Sequence, residues 1–255
     1  IKEQTYALVD GAAYTRSVKT EGVRIAYNRN FPHLKWQAWY APFDMDYDEV
    51  SDEYTMASIN AVREYDDNED GVLDRWSLEV LMLRAGETVY ANMPYVIRPK
   101  QAGAKEFVME NATLYPADEE TVDCSSTKML YTFKGVYSAH SASELLANGW
   151  LAMGDGRLVN PTAGSTLNPF RWYMSTAPRG NYSSVYYAPK RVELVVIDED
   201  GAVTDIEEMP LGEENAAMWP ADVYDLNGRL VKAQAENLEG LKKGIYVVNG
   251  HKLVK

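Results

Sequence analysis

Apolar and polar residues alternate with period two, or gather into short β-branched and aromatic runs, along most of this 255-residue chain. A strand turns successive side chains to opposite faces, so this rhythm suits sheets and does not build amphipathic helices, which need a period of about 3.6. Candidate strands are Gln4–Asp10, Tyr14–Val18, Gly22–Asn28, Trp36–Phe43, Tyr54–Tyr65, Trp76–Leu83, Tyr95–Pro99, Glu106–Met109, Leu130–Tyr137, Trp150–Met153, Arg157–Leu158, Arg171–Thr176 and Arg191–Asp198. Turn pairs such as Asp10-Gly11, Glu21-Gly22, Asp70-Gly71, Ala85-Gly86 and Asp200-Gly201 punctuate them. Short strands at such spacing predict an all-β fold, an antiparallel two-sheet β-sandwich of jelly-roll or immunoglobulin-like kind. No strand–helix alternation calls for a parallel sheet. One short helix is expected, with Ser141 or Ser143 capping Glu144–Asn148 and Gly149 ending it.

Charge narrows the partners. The net charge of −13 argues against nucleic acid, whose phosphates need a basic face, and against anionic membranes. No apolar run reaches the roughly 18 residues of a membrane span, so no membrane insertion is expected. The single Cys124 excludes an intramolecular disulfide and a cysteine-rich zinc site. Asp44 to Asp74 holds 12 acids against Arg63 alone, and Asp198 to Glu214 holds eight acids and no base. From Arg229 onward the balance reverses, with six Lys and Arg against two acids. These shifts divide the chain into a β-sandwich domain at 1–200, an acidic linker or long acidic hairpin at 201–220, and a C-terminal module at 221–255.

That module carries one motif twice, VYDLNGRLV at Val223–Val231 and IYVVNGHKLV at Ile245–Val254. Asn-Gly between two apolar runs signals a hairpin, because a type I′ turn needs positive φ at both central residues. With the Lys243-Gly244-Ile245-Tyr246 step and the last strand Lys252-Leu253-Val254-Lys255, the tail resembles the C-terminal sorting domain of proteins secreted by the type IX (Por) machine of Bacteroidetes. The body offers three further segments: Trp36-Gln37-Ala38-Trp39-Tyr40-Ala41-Pro42-Phe43, Ala91-Asn92-Met93-Pro94-Tyr95-Val96-Ile97-Arg98 and Leu167-Asn168-Pro169-Phe170-Arg171-Trp172-Tyr173. In order, they are similar to a β-rich module of uncharacterised exported proteins from Bacteroides-type bacteria. The resemblance implies a non-catalytic, adhesive β domain, secreted or held on the outer surface of a Gram-negative cell, with a surface glycan or a protein as partner.

Two local patterns suggest ligands. Asp66-Asp67-Asn68-Glu69-Asp70-Gly71-Val72-Leu73-Asp74 follows the first nine positions of an EF-hand-type calcium loop. Asp66, Asn68 and Asp70 would supply side-chain oxygens, Val72 a carbonyl, and Asp74 a water-mediated contact to Ca²⁺. The twelfth position is Ser77 rather than the bidentate Glu, and the flanks read as strands; the competing reading is a solvated hairpin loop of Asx-turns. The aromatic clusters around Trp36, Trp39, Trp172 and Tyr173 would stack on sugar rings if exposed, and would form sandwich core if buried. Alternation puts Trp36, Ala38 and Tyr40 on one face, with Gln37, Trp39 and Ala41 on the other, and pairs Phe170 with Trp172 opposite Arg171 and Tyr173.

Catalytic patterns are absent from the sequence. There is no Gly-x-Ser-x-Gly and no His-x-x-x-His or His-x-His pair, and His33, His140 and His251 are scattered and read as surface residues. The expectation is a binding or adhesion module that performs no chemistry. The alternatives are a carbohydrate-binding module and a secreted hydrolase with an unrecognised carboxylate pair.

Overall fold

The structure, a computed structural model, describes residues 4–66, 75–154, 156–180, 191–198, 200, 202–206, 221–225, 229–235, 240–242, 245–248 and 251–254. The chain divides into two compact units, Ile1–Glu207 and Glu208–Lys255. In chain order the first holds β1 (Thr5–Val9), β2 (Thr20–Phe31), β3 (Gln37–Trp39), β4 (Met45–Asp46), a 3-10 turn (Tyr47–Glu49), β5 (Tyr54–Tyr65), β6 (Arg75–Met82), β7 (Thr88–Val89) and β8 (Tyr95–Pro99). It continues with β9 (Gly103–Leu114), β10 (Thr121–Asp123), β11 (Met129–Val136), β12 (His140–Ser141), α1 (Ala142–Ala147), β13 (Leu151–Gly154), β14 (Arg157–Val159), β15 (Thr166–Leu167), β16 (Arg171–Pro178), β17 (Arg191–Ile197) and β18 (Val203–Ile206). The fold is all-β and sandwich-like, as the alternation predicts. Ser141 caps α1, its side chain accepting the Glu144 amide, and Gly149 leaves the helix at φ +67°.

Most strands belong to one eleven-stranded sheet, in the order β10-β11-β16-β13-β14-β17-β6-β5-β8-β3, with β18 added on β17. The sheet curls until β3, its last strand, packs against β16 and β13 near the other end. The curl encloses a core of Trp36, Ala38, Ala57, Leu78, Val80, Val96, Tyr131, Phe133, Leu151, Trp172, Met174 and Leu194. A second sheet, β1-β2-β9, lies over the opposite face of β5, β8 and β3. Between them sits an aromatic core that includes Tyr27, Phe31, Trp39, Tyr40, Phe43, Tyr54, Phe107, Tyr137 and Phe170. β5 and β8 are therefore buried on both faces: Met56 and Ile97 point into one core, Ala57 and Val96 into the other. Pairing is not wholly antiparallel, since β1 runs parallel to β2 and β17 parallel to β6.

Two expectations about faces change. Tyr40 joins Trp39 in the aromatic core instead of following Trp36 and Ala38, because β3 ends at Trp39 and the alternation ends with it. Phe170 and Trp172 likewise separate, because Phe170 has φ +62° immediately before β16 and its ring turns into the other core. Within the segment read as an acidic linker or long acidic hairpin, Val203–Ile206 is a strand of the first unit. β18 folds back on β17 through a turn in which the Asp198 carboxylate accepts the amides of Asp200 and Ala202, at 3.0 and 2.8 Å. In the second unit, β19 (Ala221–Asp225), β20 (Leu230–Ala235), β21 (Ile245–Val248) and β22 (His251–Val254) form one sheet in the order β20-β19-β21-β22. The two Asn-Gly motifs thus join two antiparallel hairpins that pair with each other through β19 and β21. Both Asn-Gly pairs themselves lie outside the described residues.

Candidate functional site

The curled sheet does not close by hydrogen-bonded pairing. β3 pairs with β8 on one side and has no strand partner on the other among the described residues. The gap between β3 and the β13–β16 region holds a cavity of about 160 Å³. His33, Trp36, Gln37 and Ala38 form one wall, and Met153, Gly154, Thr166, Leu167, Asn168 and Arg171 the other. Two of the three body segments quoted above meet here, and the third supplies β8, the neighbour of β3.

Behind the β3 wall lies a buried charge network. Inward positions on β2 run Val23, Ile25, Tyr27, Arg29 and Phe31, all at most 3% exposed, so an arginine stands where the alternation calls for an apolar residue. The Arg29 guanidinium packs over the rings of Phe31 and Trp39, at 4.7 and 5.8 Å. One Arg29 amino group donates to the Ala38 carbonyl at 2.9 Å and the other to Gln37 Oε1 at 3.3 Å. Arg171, on the cavity wall, grips Asp10 as a two-pronged fork, with distances of 2.9 and 3.0 Å. The Tyr27 hydroxyl donates to the same carboxylate at 3.2 Å. Burial, and then the like charge of Arg171, pull the Arg29 pKa down to about 9, which still leaves it charged at neutral pH. Burial also opposes the Arg171 charge, but Tyr27 and the Asp10 fork outweigh it and raise that pKa.

Hydrogen bonding on the β3 wall is incomplete. The Trp36 indole Nε1 and the His33 Nδ1 are buried and meet no hydrogen-bond partner among the described residues. Leaving such a group unpaired costs about 1–3 kcal/mol, so native proteins rarely do it without a reason. Trp36 is 1% exposed, and the Arg98 guanidinium lies over its ring at 4.8 Å. His33 is half-buried, with its Nδ1 inside and its residue in the cavity wall.

The aromatic residues nominated for sugar stacking are core. Trp36, Trp39 and Trp172 are at most 1% exposed and Tyr173 is 5% exposed. Trp172 is held by its Nε1–H donating to the Tyr95 carbonyl at 2.6 Å, and Phe133 meets its ring edge-on. Tyr173 lies under Trp150, stacked at 4.2 Å and 12°. A sugar ring would find no open face on these four, since all are buried. Of the calcium candidates, Asp66 is described, whereas Asn68, Asp70, Val72 and Asp74 lie outside the described residues. The loop joins β5 to β6, an antiparallel hairpin closed by Tyr65 and Arg75, so strands flank it. Among the described residues no group of three or more His, Cys, Asp or Glu is placed to hold a metal ion.

Sequence reasoning missed Arg29 and Arg171. The signal for Arg29 was present, a cation at an inward position between Tyr27 and Phe31. Arg171 sits at a strand start and gave no such mark. No protein-family model, no curated protein and no solved structure matches this chain.

Proposed function

We propose that the protein is a non-catalytic binding module, secreted or displayed on the outer surface of a Gram-negative cell, and that it takes a small polar ligand in the cavity at the seam of the curled sheet. One observation carries this reading: Trp36 and His33, each with a buried ring nitrogen that meets no hydrogen-bond partner among the described residues, both stand in the wall of this cavity. The cavity is concave and its exposed wall is more polar than apolar, which suits a small polar ligand. Among the described residues the lining holds no carboxylate, whereas a glycosidase needs two facing ones. Export draws its support from the resemblance of the tail to a sorting domain.

The test is a ligand screen on the full chain read by ¹H–¹⁵N NMR, with the Trp36 indole resonance assigned by its loss in Trp36→Phe. Mixtures of small sugars, amino acids and organic acids should include one that moves this resonance in a saturable way. If every mixture leaves it in place, the cavity is not a ligand site. Protease treatment of intact cells that express the protein tests display, and full protection would argue against it.

A further inference from the structure

Trp36, Trp39, Trp76 and Trp172 are buried, and among the described tryptophans Trp150 alone keeps part of its surface in solvent. Three contacts fix it there. Gly149 turns the chain back from α1 at φ +67°, the Trp150 amide donates to the Leu145 carbonyl at 2.8 Å, and the ring lies flat on Tyr173, at 4.2 Å and 12°. Tyr173 is itself buried and set in β16. The His140 ring stands 6.2 Å from Trp150 and 6.0 Å from Tyr173, so it lies beside the stack and not over it. The solvent surface of the indole therefore lies away from Tyr173. A ring already held in one orientation loses little freedom when a ligand stacks on it.

Accessible polar groups surround this ring. Alternation along β11 and β16 turns Thr132, Lys134, Tyr173 and Ser175 away from the core of Phe133, Trp172 and Met174, and the register sets Lys134 beside Tyr173 and Thr132 beside Ser175. Lys134 meets Glu119 at 3.0 Å, and His140 Nδ1 meets Glu144 at 2.9 Å. Lys134, Glu119 and Glu144 all act electrostatically on the Tyr173 hydroxyl, which places them around the same stack. Their side chains reach solvent, 37% exposed for Lys134 and 45% for Glu144. Each of the two acids has a basic partner, so this rim makes no demand for a charged ligand. It offers donors and acceptors next to a flat apolar ring. A pyranose matches both, because its ring C–H groups form an apolar face and its hydroxyls donate and accept. A phosphate-bearing ring would meet two carboxylates.

We propose that the outer face of β11 and β16 binds a neutral saccharide, with one pyranose ring stacked on Trp150 and its hydroxyls bonded to the rim of Lys134, His140 and Glu144. This site is separate from the seam cavity, whose lining includes none of these residues, so the two readings stand or fall independently.

The experiment titrates the ¹⁵N-labelled full chain with cellohexaose, maltohexaose, mannohexaose, xylohexaose and chitohexaose, and with adenosine monophosphate as a planar anionic control. At least one oligosaccharide should move the Trp150 indole resonance saturably, assigned by its loss in Trp150→Phe, and leave that of Trp36 in place. Trp150→Ala, with its fold checked by near-UV circular dichroism, should weaken binding about tenfold, the order of one aromatic contact, and Trp150→Tyr should weaken it less. Because removing the indole uncovers Tyr173, saturation-transfer NMR on the unaltered chain gives a second arm: irradiating aromatic protons should mark the ring C–H protons of one sugar face. If no oligosaccharide moves the resonance, if binding is unchanged in Trp150→Ala, or if adenosine monophosphate binds more tightly than every sugar, the proposal is overturned. A sugar that moves the Trp36 resonance alone supports the seam cavity and overturns this site.

Discussion

Gly135 and Tyr40 occupy one space: a Cβ added to Gly135 would lie 2.0 Å from Cε2 of the Tyr40 ring. Gly135 sits in β11 opposite Trp172 of β16, and the missing side chain lets the Tyr40 ring lie flat against the strand. The ring is fixed at its far end, where the hydroxyl donates to the Asp118 carbonyl at 2.6 Å and accepts the Glu120 amide at 2.8 Å. Gly135→Ala should therefore cost about 2–4 kcal/mol, by overpacking and by loss of these two bonds. Urea denaturation reads the loss. Tyr40→Ala combined with Gly135→Ala should cost less than the sum of the single changes, because the first removes the ring that the second strikes. Simple additivity would show that the two do not share the space.

Among the described residues Asp10 is the one carboxylate bound to the Arg171 fork, and its charge also acts on the buried Arg29. Asp10→Asn leaves two cations without a counter-charge in a low-dielectric interior. Breaking a fully buried pair from one side costs about 3–5 kcal/mol, and this pair, with 14% and 20% of its side chains exposed, should lose less. Removing both partners, Asp10→Asn with Arg171→Met, should recover part of that loss, since the uncompensated charge goes with the arginine. Paired denaturation curves check it, and a double variant as unstable as the single one would count against the electrostatic cause.

The sequence predicted the strands well where alternation is long and uninterrupted: Tyr54–Tyr65 and Tyr95–Pro99 are β5 and β8 to the residue. It failed where backbone geometry breaks the period. Tyr14–Val18 is irregular, its Tyr14 amide bound to the Tyr137 carbonyl instead of to a strand ladder. The short pair β12–β15 and the parallel pairing of β17 with β6 depend on contacts far apart in the chain. The site followed the same logic. Trp36 was singled out for its ring, whereas its consequence lies in its nitrogen, and no pattern in one sequence says whether a buried donor will find an acceptor. Arg29 was legible as a charge on an inward face of β2, but its neighbour Arg171 comes from a distant strand, and only folding joins the two.

Alkaline pH should unfold the protein. Burial raises the hydroxyl pKa of Tyr14 to about 12 and pushes those of Tyr27, Tyr40, Tyr54 and Tyr137 upward as well. In the unfolded chain these groups ionise near pH 10. The unfolded state thus loses its protons first, so their contribution is complete below about pH 10 and declines as pH rises toward the folded values. Each such tyrosine removes up to about 1.4 kcal/mol per pH unit in that window. Arg29, with its pKa lowered, acts in the opposite direction above about pH 9, as one group against five. The urea midpoint should hold steady from about pH 7 to 9 and fall steeply beyond pH 10. Beyond the share of exposed tyrosines such as Tyr90, tyrosinate absorbance should appear with unfolding; ionisation of all eighteen tyrosines in a folded protein would contradict the burial argument.

The seam of the curled sheet is closed by side chains, among them one that makes a hydrogen bond across the enclosed core. Trp172 on β16 donates its Nε1–H to the Tyr95 carbonyl at the start of β8, at 2.6 Å, across the core that the sheet encloses. A continuous ladder distributes its strength over many backbone bonds, whereas this junction depends on a few side chains. Trp172→Phe keeps an aromatic ring against Phe133 and removes the donor, leaving the Tyr95 carbonyl buried and short of a partner. The expected cost is about 1–3 kcal/mol. The location of the effect is the stronger test. Amide hydrogen exchange should accelerate in β3, at the start of β8 and around β13 more than in β2 and β9, which belong to the other sheet and keep every ladder bond. Uniform acceleration would mean that only global stability had fallen and that the seam is no weaker than the rest of the fold.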